Sequence, residues 1–320
     1  MEIATNGELF PVSAVVPIRD GMDYLPEFLE KNNKLLSLLD EVIFINDDSS
    51  DGTLLYLQTA SQGRSNVKVI DNQIPGLVNA LNLGIREARN LWVARFDVDD
   101  MYSSSRIMRQ YEFAKNGIGV VFSDYETVDR FNNPLGVITS PVTSNLTSLS
   151  LVNSRRTPHP SALINKNAFQ QVGGYRLEEH PVEDLGLWLR IAANGFQLVS
   201  VPEVLLTYRI HPSSVTSTKQ IEMRKRKHDL IGQYDFRPIF QGALKNWRID
   251  IRALSKTSNS SQRKFLSCVD LIAVSKRVTH KKVFESLFQF AYVFVTLLDF
   301  GVARAAIRYY FDGSKRRAMR

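Results

Sequence analysis

Short apolar runs alternate with segments whose apolar residues recur at helical spacing, and this rhythm limits the possible folds more than any other feature of the chain. Residues 12–16 read as a strand ending at Pro17, residues 24–39 as a helix and 42–45 as a second strand. Residues 53–60 continue as a helix, 67–70 as a third strand, 77–88 as a helix and 92–96 as a fourth strand. The order β-α-β-α-β-α-β predicts a largely parallel sheet covered by helices on both faces. Residues 119–138 then supply the run Val120-Val121-Phe122 and a hairpin turning through Asn132-Asn133-Pro134.

Composition enters where it excludes alternatives. With 44% hydrophobic residues over 320 positions the chain can bury a sizeable core, so disorder is not its main state. Cys268 is the single cysteine, which excludes an internal disulfide framework and a Cys-rich zinc site and reads as a small buried hydrophobe. The net charge of +7 hides a split: residues 1–218 hold 18 basic against 25 acidic side chains, and residues 219–320 hold 22 against 8. We expect two parts accordingly, a chemical domain over 1–218 and a basic, helical region over 219–320 drawn to an anionic surface. The N-terminal residues carry no basic and apolar leader pattern, and with one cysteine the expected compartment is cytoplasmic. The sequons at Asn145 and Asn259 are read as chance matches.

In a sheet of this kind the site lies beyond the carboxyl ends of the strands, and polar residues concentrate there. Strand four runs into Asp97-Val98-Asp99-Asp100. Three carboxylates in four residues repel unless a cation or backbone amides compensate, and hard oxygen ligands suit Mg²⁺ or Mn²⁺ with positions left open for phosphate. The bland alternative is a solvated turn capping the next helix. Strand two runs into Asn46-Asp47-Asp48-Ser49-Ser50-Asp51-Gly52-Thr53. A calcium loop is rejected there, because Gln58 stands where the bidentate glutamate belongs and a strand precedes the segment. Asp51 reads as a helix-entry cap, and Asp47, at the strand end, as an acceptor for a base or a ribose. Glu183-Asp184 opens the apolar helical pattern Leu185, Leu187, Trp188, Leu189, Ile191. Its bland role is an acidic first turn favoured by the helix dipole; its functional one is a general base.

Taken together these residues resemble the family 2 glycosyltransferases, inverting GT-A enzymes that use nucleotide sugars, over roughly residues 10–215. Val15-Val16-Pro17 is similar to the family's opening strand, and the segment 46–53 to its D-D-G-S-x-D-G-T. Gly76, Asn82 and Gly84 match its glycine- and Asn-bearing helix entry, and Asp97-Val98-Asp99-Asp100 its metal motif. Val172-Gly173-Gly174-Tyr175 followed by Glu183-Asp184-Leu185-Gly186-Leu187-Trp188-Leu189-Arg190 resembles G-G-[FY]…E-D-x-x-L-x-x-R, and Tyr208-Arg209-Ile210-His211 the closing Y-R-x-H. Each motif alone says little; six in order and spacing say much. The chain departs from the pattern where Asp48 replaces a glycine, where Asn46 replaces the first aspartate, and where Pro17-Ile18-Arg19-Asp20 stands for P-x-Y-N. It has no Q-x-x-R-W, which favours one sugar per encounter over processive synthesis.

The resemblance implies an α/β GT-A domain that moves one sugar, with inversion, from a nucleotide-diphosphate sugar (a UDP-sugar in first place) to a lipid-linked or cell-surface saccharide. It implies Asp184 as base with Glu183 holding the local geometry. Pro17, Asp47, Asn82 and Asp97 fall on the donor, and Asp99 and His211 on Mn²⁺ or Mg²⁺. In the basic region, residues 286–298 form 13 positions without a charge, short of the roughly 20 needed to span a bilayer. With Lys276, Arg277, Lys281, Lys282, Arg304 and Arg308 around them, we expect a helix lying at the membrane interface on the cytoplasmic face. The alternative there is a helix packed on the catalytic domain. No nucleic-acid motif is present. Two other functions fit the sequence less well. A sugar-nucleotide pyrophosphorylase needs a Gly-rich opening that residues 15–21 lack. A non-catalytic membrane scaffold would have no use for Asp99 and Asp184.

Overall fold

The computed structural model describes residues 9–141, 143–151, 157–212, 214, 218–236 and scattered positions between 239 and 256. Nine strands form one sheet among these residues: β1 (Phe10–Ile18), β2 (Leu39–Asn46), β3 (Val67–Asp71), β4 (Trp92–Arg95), β5 (Met101–Tyr102), β6 (Ile118–Asp129), β7 (Pro134–Ile138), β8 (Leu163–Asn165) and β9 (Gln197–Ile210). The helices are α1 (Leu25–Leu36), α2 (Thr53–Ala60), α3 (Leu77–Glu87), α4 (Arg106–Tyr111), α5 (Ser144–Ser150), α6 (Lys166–Gln171), α7 (Glu183–Ala193) and α8 (Gln220–Gln233). The expected rhythm is present with small changes at the ends. β1 runs through Pro17, which pairs with Ile45, to Ile18. α1 stops at Leu36 because Leu39 already pairs with Phe10.

The strand order is β3-β2-β1-β4-β8-β6-β9-β5, with β7 on β6 in the expected hairpin. β1 is parallel to both β2 and β4, so successive crossovers leave β1 in opposite directions. That reversal opens a crevice at the carboxyl ends of the strands, where ligands enter such sheets. β1 and β2 are buried on both faces and alternate between two apolar layers. Val15, Ile43 and Ile45 pack with α3, α5, α6 and α7. Val12, Ala14, Val16, Val42 and Phe44 pack with α1, α2 and α4. Where α3 crosses the sheet the spacing is set by Gly84; a Cβ there would fall 2.4 Å from Val15 Cγ1.

The layer around Trp188 also takes in Leu230 and Ile231 of α8 and Phe236, all buried. The core of the first part therefore draws on residues beyond position 218. The 286–298 segment and its basic neighbours lie outside the described residues. Among the described residues, no helix is long and apolar enough to cross a membrane.

Candidate active site

Two loops at the strand ends are laced together by side chains. Asp20 Oδ1 accepts from Ser50 N (2.7 Å) and Oγ (3.1 Å), while Asp20 N–H donates to Ser49 Oγ (3.0 Å). Asp51 accepts from Met22 N and Thr53 N, at 2.9 and 3.1 Å, so it satisfies the first amide of α2, whose N-cap position is Gly52, and ties that loop to the β1–α1 loop. Asp48 adopts a left-handed φ of +58°. That explains the glycine of the related motif, since only glycine takes this conformation without cost, and Asp is among the better-tolerated replacements. Asn46 donates to Asp71 Oδ1 at 2.6 Å, a contact that an aspartate would turn into repulsion. Asp47 is buried at the end of β2. Its N–H donates to Ile18 O, and its Oδ1 accepts from Asn72 Nδ2 and Gly76 N, both at 2.8 Å; Oδ2 takes neither bond. Pro17 is buried one residue before Ile18.

The acidic turn follows β4 and leads straight into β5, which pairs with β9 through Met101↔Thr207 and Tyr102↔Leu206. That short pairing brings residues a hundred positions apart together. His211 Nε2 lies 2.8 Å from Asp99 Oδ2, and Arg209 N donates to Asp100 Oδ1 at 2.9 Å. The His211 ring packs on Tyr24, centroids 5.2 Å apart. Asp97 is held from behind: Arg95 Nη1 reaches its Oδ2 at 2.6 Å, and its N–H donates to the Tyr102 hydroxyl at 2.7 Å. Burial pushes the Asp97 carboxyl up, against the pull of Arg95. Burial and the neighbouring Asp99 and Asp97 charges hold Asp100 well above the carboxylate range. Behind this turn Arg106 is fully buried, its guanidinium 4.4 Å from the Phe96 ring and 4.7 Å from the Tyr102 ring. One carboxylate oxygen from each of Asp97, Asp99 and Asp100 lies within 4.8 Å of the others. The buried Asp100 Oδ2 has no hydrogen-bond partner. An all-oxygen cluster with an orphaned oxygen and an imidazole at its edge fits a hard divalent cation such as Mn²⁺ or Mg²⁺.

The third part is the start of α7, a helix buried on nearly every side. Glu183 Oε2 lies 2.9 Å from His180 Nδ1. Asp184 accepts from Leu185 N at 2.7 Å, and its carboxyl is pushed up to about 6 by burial and by the Glu183 charge. Asn82 is turned to a task of its own. Its Nδ2 donates to Tyr175 O and its Oδ1 accepts from Tyr175 N, each at 3.0 Å, so both ends of the amide hold the Gly173-Gly174-Tyr175 turn. Arg190, the arginine of the helix motif, bonds Glu179 and the Gly174 carbonyl, and Gly186 leaves room for that carboxylate.

The structure thus gathers Asp97, Asp99 and His211, and sets Glu183 beside Asp184. Arg95 and Tyr175 are close enough to feel charge from both the acidic turn and the start of α7. Arg95 belongs to none of the sequence motifs, although an arginine inside the run Trp92-Val93-Ala94-Arg95-Phe96 signals a buried partner. The same holds for His159, which meets the Tyr175 hydroxyl at 2.7 Å.

The family model described as glycosyl transferase family 2 matches residues 13–173. The chain belongs to this family. It is 28% identical over 233 residues to the UDP-Gal:alpha-D-GlcNAc-diphosphoundecaprenol beta-1,3-galactosyltransferase of Escherichia coli, covering 71% of this chain and 82% of that protein. It is 24% identical over 217 residues to the putative teichuronic acid biosynthesis glycosyltransferase TuaG of Bacillus subtilis, covering 65% and 82%. Among solved structures, S. aureus TarS with UDP-GlcNAc superposes with a TM-score of 0.58 at 17% identity, over 94% of this chain and 92% of that one. The mannosyltransferase PcManGT of Pyrobaculum calidifontis, with GDP-Man and Mn2+, gives 0.57 at 13%, over 98% and 92%. The fold of this glycosyltransferase is the GT-A fold expected from its motifs.

Proposed function

We propose that this glycosyltransferase moves a single sugar from a UDP-sugar to a saccharide carried on a lipid diphosphate, with inversion at the anomeric carbon. What supports the reading is that Arg95, paired with Asp97 at 2.6 Å, and Tyr175 both interact electrostatically with Asp184, which links the acidic turn to the start of α7. The relatives named for UDP-sugars and diphosphoundecaprenol acceptors support the choice of substrates.

Asp47 binds the nucleoside part at the end of β2, beneath the laced loops, and Pro17 forms part of the floor. Asp99 and His211 hold a divalent cation, with Asp97 and Asp100 around it. Such a cation, when bound, neutralises charge developing on the leaving diphosphate. Asp184 takes the proton of the attacking hydroxyl. Its carboxyl, near 6, is ionised at neutral pH yet more basic than a free aspartate, as a general base requires. A single attack on the face opposite the diphosphate gives inversion. Family membership removes the pyrophosphorylase alternative, and the buried, paired carboxylates speak against an inert scaffold. The basic region beyond residue 218 holds the enzyme at the anionic cytoplasmic face of the membrane, next to a lipid-borne acceptor.

The test is a panel of UDP-, GDP- and dTDP-sugars with Mn²⁺, scored for nucleotide release with and without a GlcNAc-diphospho-lipid. UDP-sugar turnover that the lipid stimulates and excess chelator abolishes is expected. Turnover confined to GDP- or dTDP-sugars, or unaffected by chelator, overturns the donor or the metal assignment respectively.

A further inference from the structure

Glu183 is buried, its side chain 6% exposed, and it shares the site with a second carboxyl. Two adjacent buried carboxylates compete for a proton, and the pair needs positive charge or donors to stay ionised. The donor is His180, three residues before Glu183, and the positive charge comes from beyond β9. His180 Nδ1 lies 2.9 Å from Glu183 Oε2, and His180 Nε2 lies 3.0 Å from Lys219 Nζ, at the entry to α8. An ammonium has only donors, so it meets the ring at a lone pair; Nε2 accepts and Nδ1 carries the hydrogen donated to Glu183. Donation therefore runs one way, Lys219 to His180 to Glu183, and ends on the Glu183 carboxylate. Two turns along α8, Lys227 is near enough to favour the ionised form of Asp184. Arg95 acts in the same sense from β4, and the charges of both carboxyls are felt at Tyr175 in the turn before α7.

We propose that α8 is part of the catalytic site: Lys219 and His180 are positioning residues that hold Glu183 ionised and fixed beside the base. This rests on Asp184 being that base, and it gives the first helix of the basic region a role in the chemistry. Without the ammonium, the pair binds its first proton at higher pH. Loss of one positive charge at this range in a partly exposed setting moves that uptake by on the order of one pH unit. The charge matters more than the stem, so Lys219→Arg keeps the effect. His180→Asn retains an amide donor for Glu183, whereas His180→Ala does not.

The experiment follows proton uptake by the carboxyl carbons in full-length protein labelled with ¹³C at Asp and Glu side chains, with Glu183→Gln and Asp184→Asn used to assign the two signals. Lys219→Met should raise the first uptake of the pair by about one pH unit, with Lys219→Arg restoring it. His180→Ala should behave like Lys219→Met, and His180→Asn like wild type. In parallel, the acid limb of kcat for UDP-sugar turnover should rise with the carboxyl titration while the alkaline plateau stays near wild type. An unchanged carboxyl titration in Lys219→Met, or a kcat lowered equally at every pH, overturns the proposal and leaves Lys219 a packing residue. The base assignment stands or falls separately: if Asp184→Asn retains turnover, Asp184 is not the base, whatever the titration of Glu183 shows.

Discussion

Asn82 holds the Tyr175 backbone by both ends of its amide, so Asn82→Ala removes two hydrogen bonds at once. Each bond is 3.0 Å long and spans 93 positions of sequence, tying α3 to the turn that precedes α7. A typical bond contributes about 1 kcal/mol, and a polar group left without a partner in a partly buried place costs about 1–3 kcal/mol. Together these give a loss of about 2–4 kcal/mol, which for a chain of this size lowers the melting temperature by roughly 3–6 °C. Asn82→Asp keeps the acceptor for Tyr175 N–H but sets a carboxylate oxygen against the Tyr175 carbonyl, so it should be no milder. Differential scanning calorimetry measures the stability, and isothermal calorimetry of UDP with Mn²⁺ measures the donor side. We expect a lowered melting temperature and UDP affinity changed by less than about threefold, a difference under about 0.7 kcal/mol. Unchanged melting together with lost UDP binding would refute this reasoning and make Asn82 a donor ligand.

Other expectations follow from single residues. Asp48→Gly relieves a left-handed backbone at φ +58° and should stabilise the fold by about 1 kcal/mol in thermal melts; a lower melting temperature would mean the Asp48 side chain contributes more than its backbone costs. Asp184 titrates higher folded than unfolded, so the folded chain binds the extra proton between pH 4 and 6 and stability falls as pH rises through that window. Asp184→Asn should therefore melt higher at pH 7, by about 1–2 kcal/mol after allowing for partial exposure, and show no such gain at pH 4. A chain cut after residue 218 loses Leu230, Ile231 and Phe236 from the core and should melt well below one cut after 240. Sedimentation with liposomes should then retain the full chain, but not the 1–240 chain, on anionic vesicles; equal behaviour of the two would contradict a membrane role for the basic region.

Much of this site was legible before any coordinates. The strands and their loops follow from apolar spacing, which is local and strong. Asp97-Val98-Asp99-Asp100 stands out because clustered carboxylates demand compensation, whatever fold surrounds them. His211 was placed by its motif, and the physical link is the two-residue β5 pairing with β9, too short to recognise from propensity. Asp48 shows the opposite case: its departure from glycine gains meaning only once its φ is known. The family resemblance puts Asn82 on the donor, whereas in the structure its amide is held by Tyr175, whose position depends on tertiary packing. The Lys219–His180–Glu183 chain left no trace in the sequence, since 39 positions and all of β9 separate its lysine from its histidine. The boundary at 218 followed the change in net charge, whereas the apolar cluster follows shape and continues into α8.

The central claim is that Asp184 removes the acceptor proton in a site whose donor half is intact without it. Measured with Mn²⁺ and a UDP-sugar, Asp184→Asn should leave UDP affinity within about threefold of wild type and lower kcat by about 10²–10⁴, the range of general-base assistance. Retained turnover in that variant, with UDP bound as in wild type, would contradict the account.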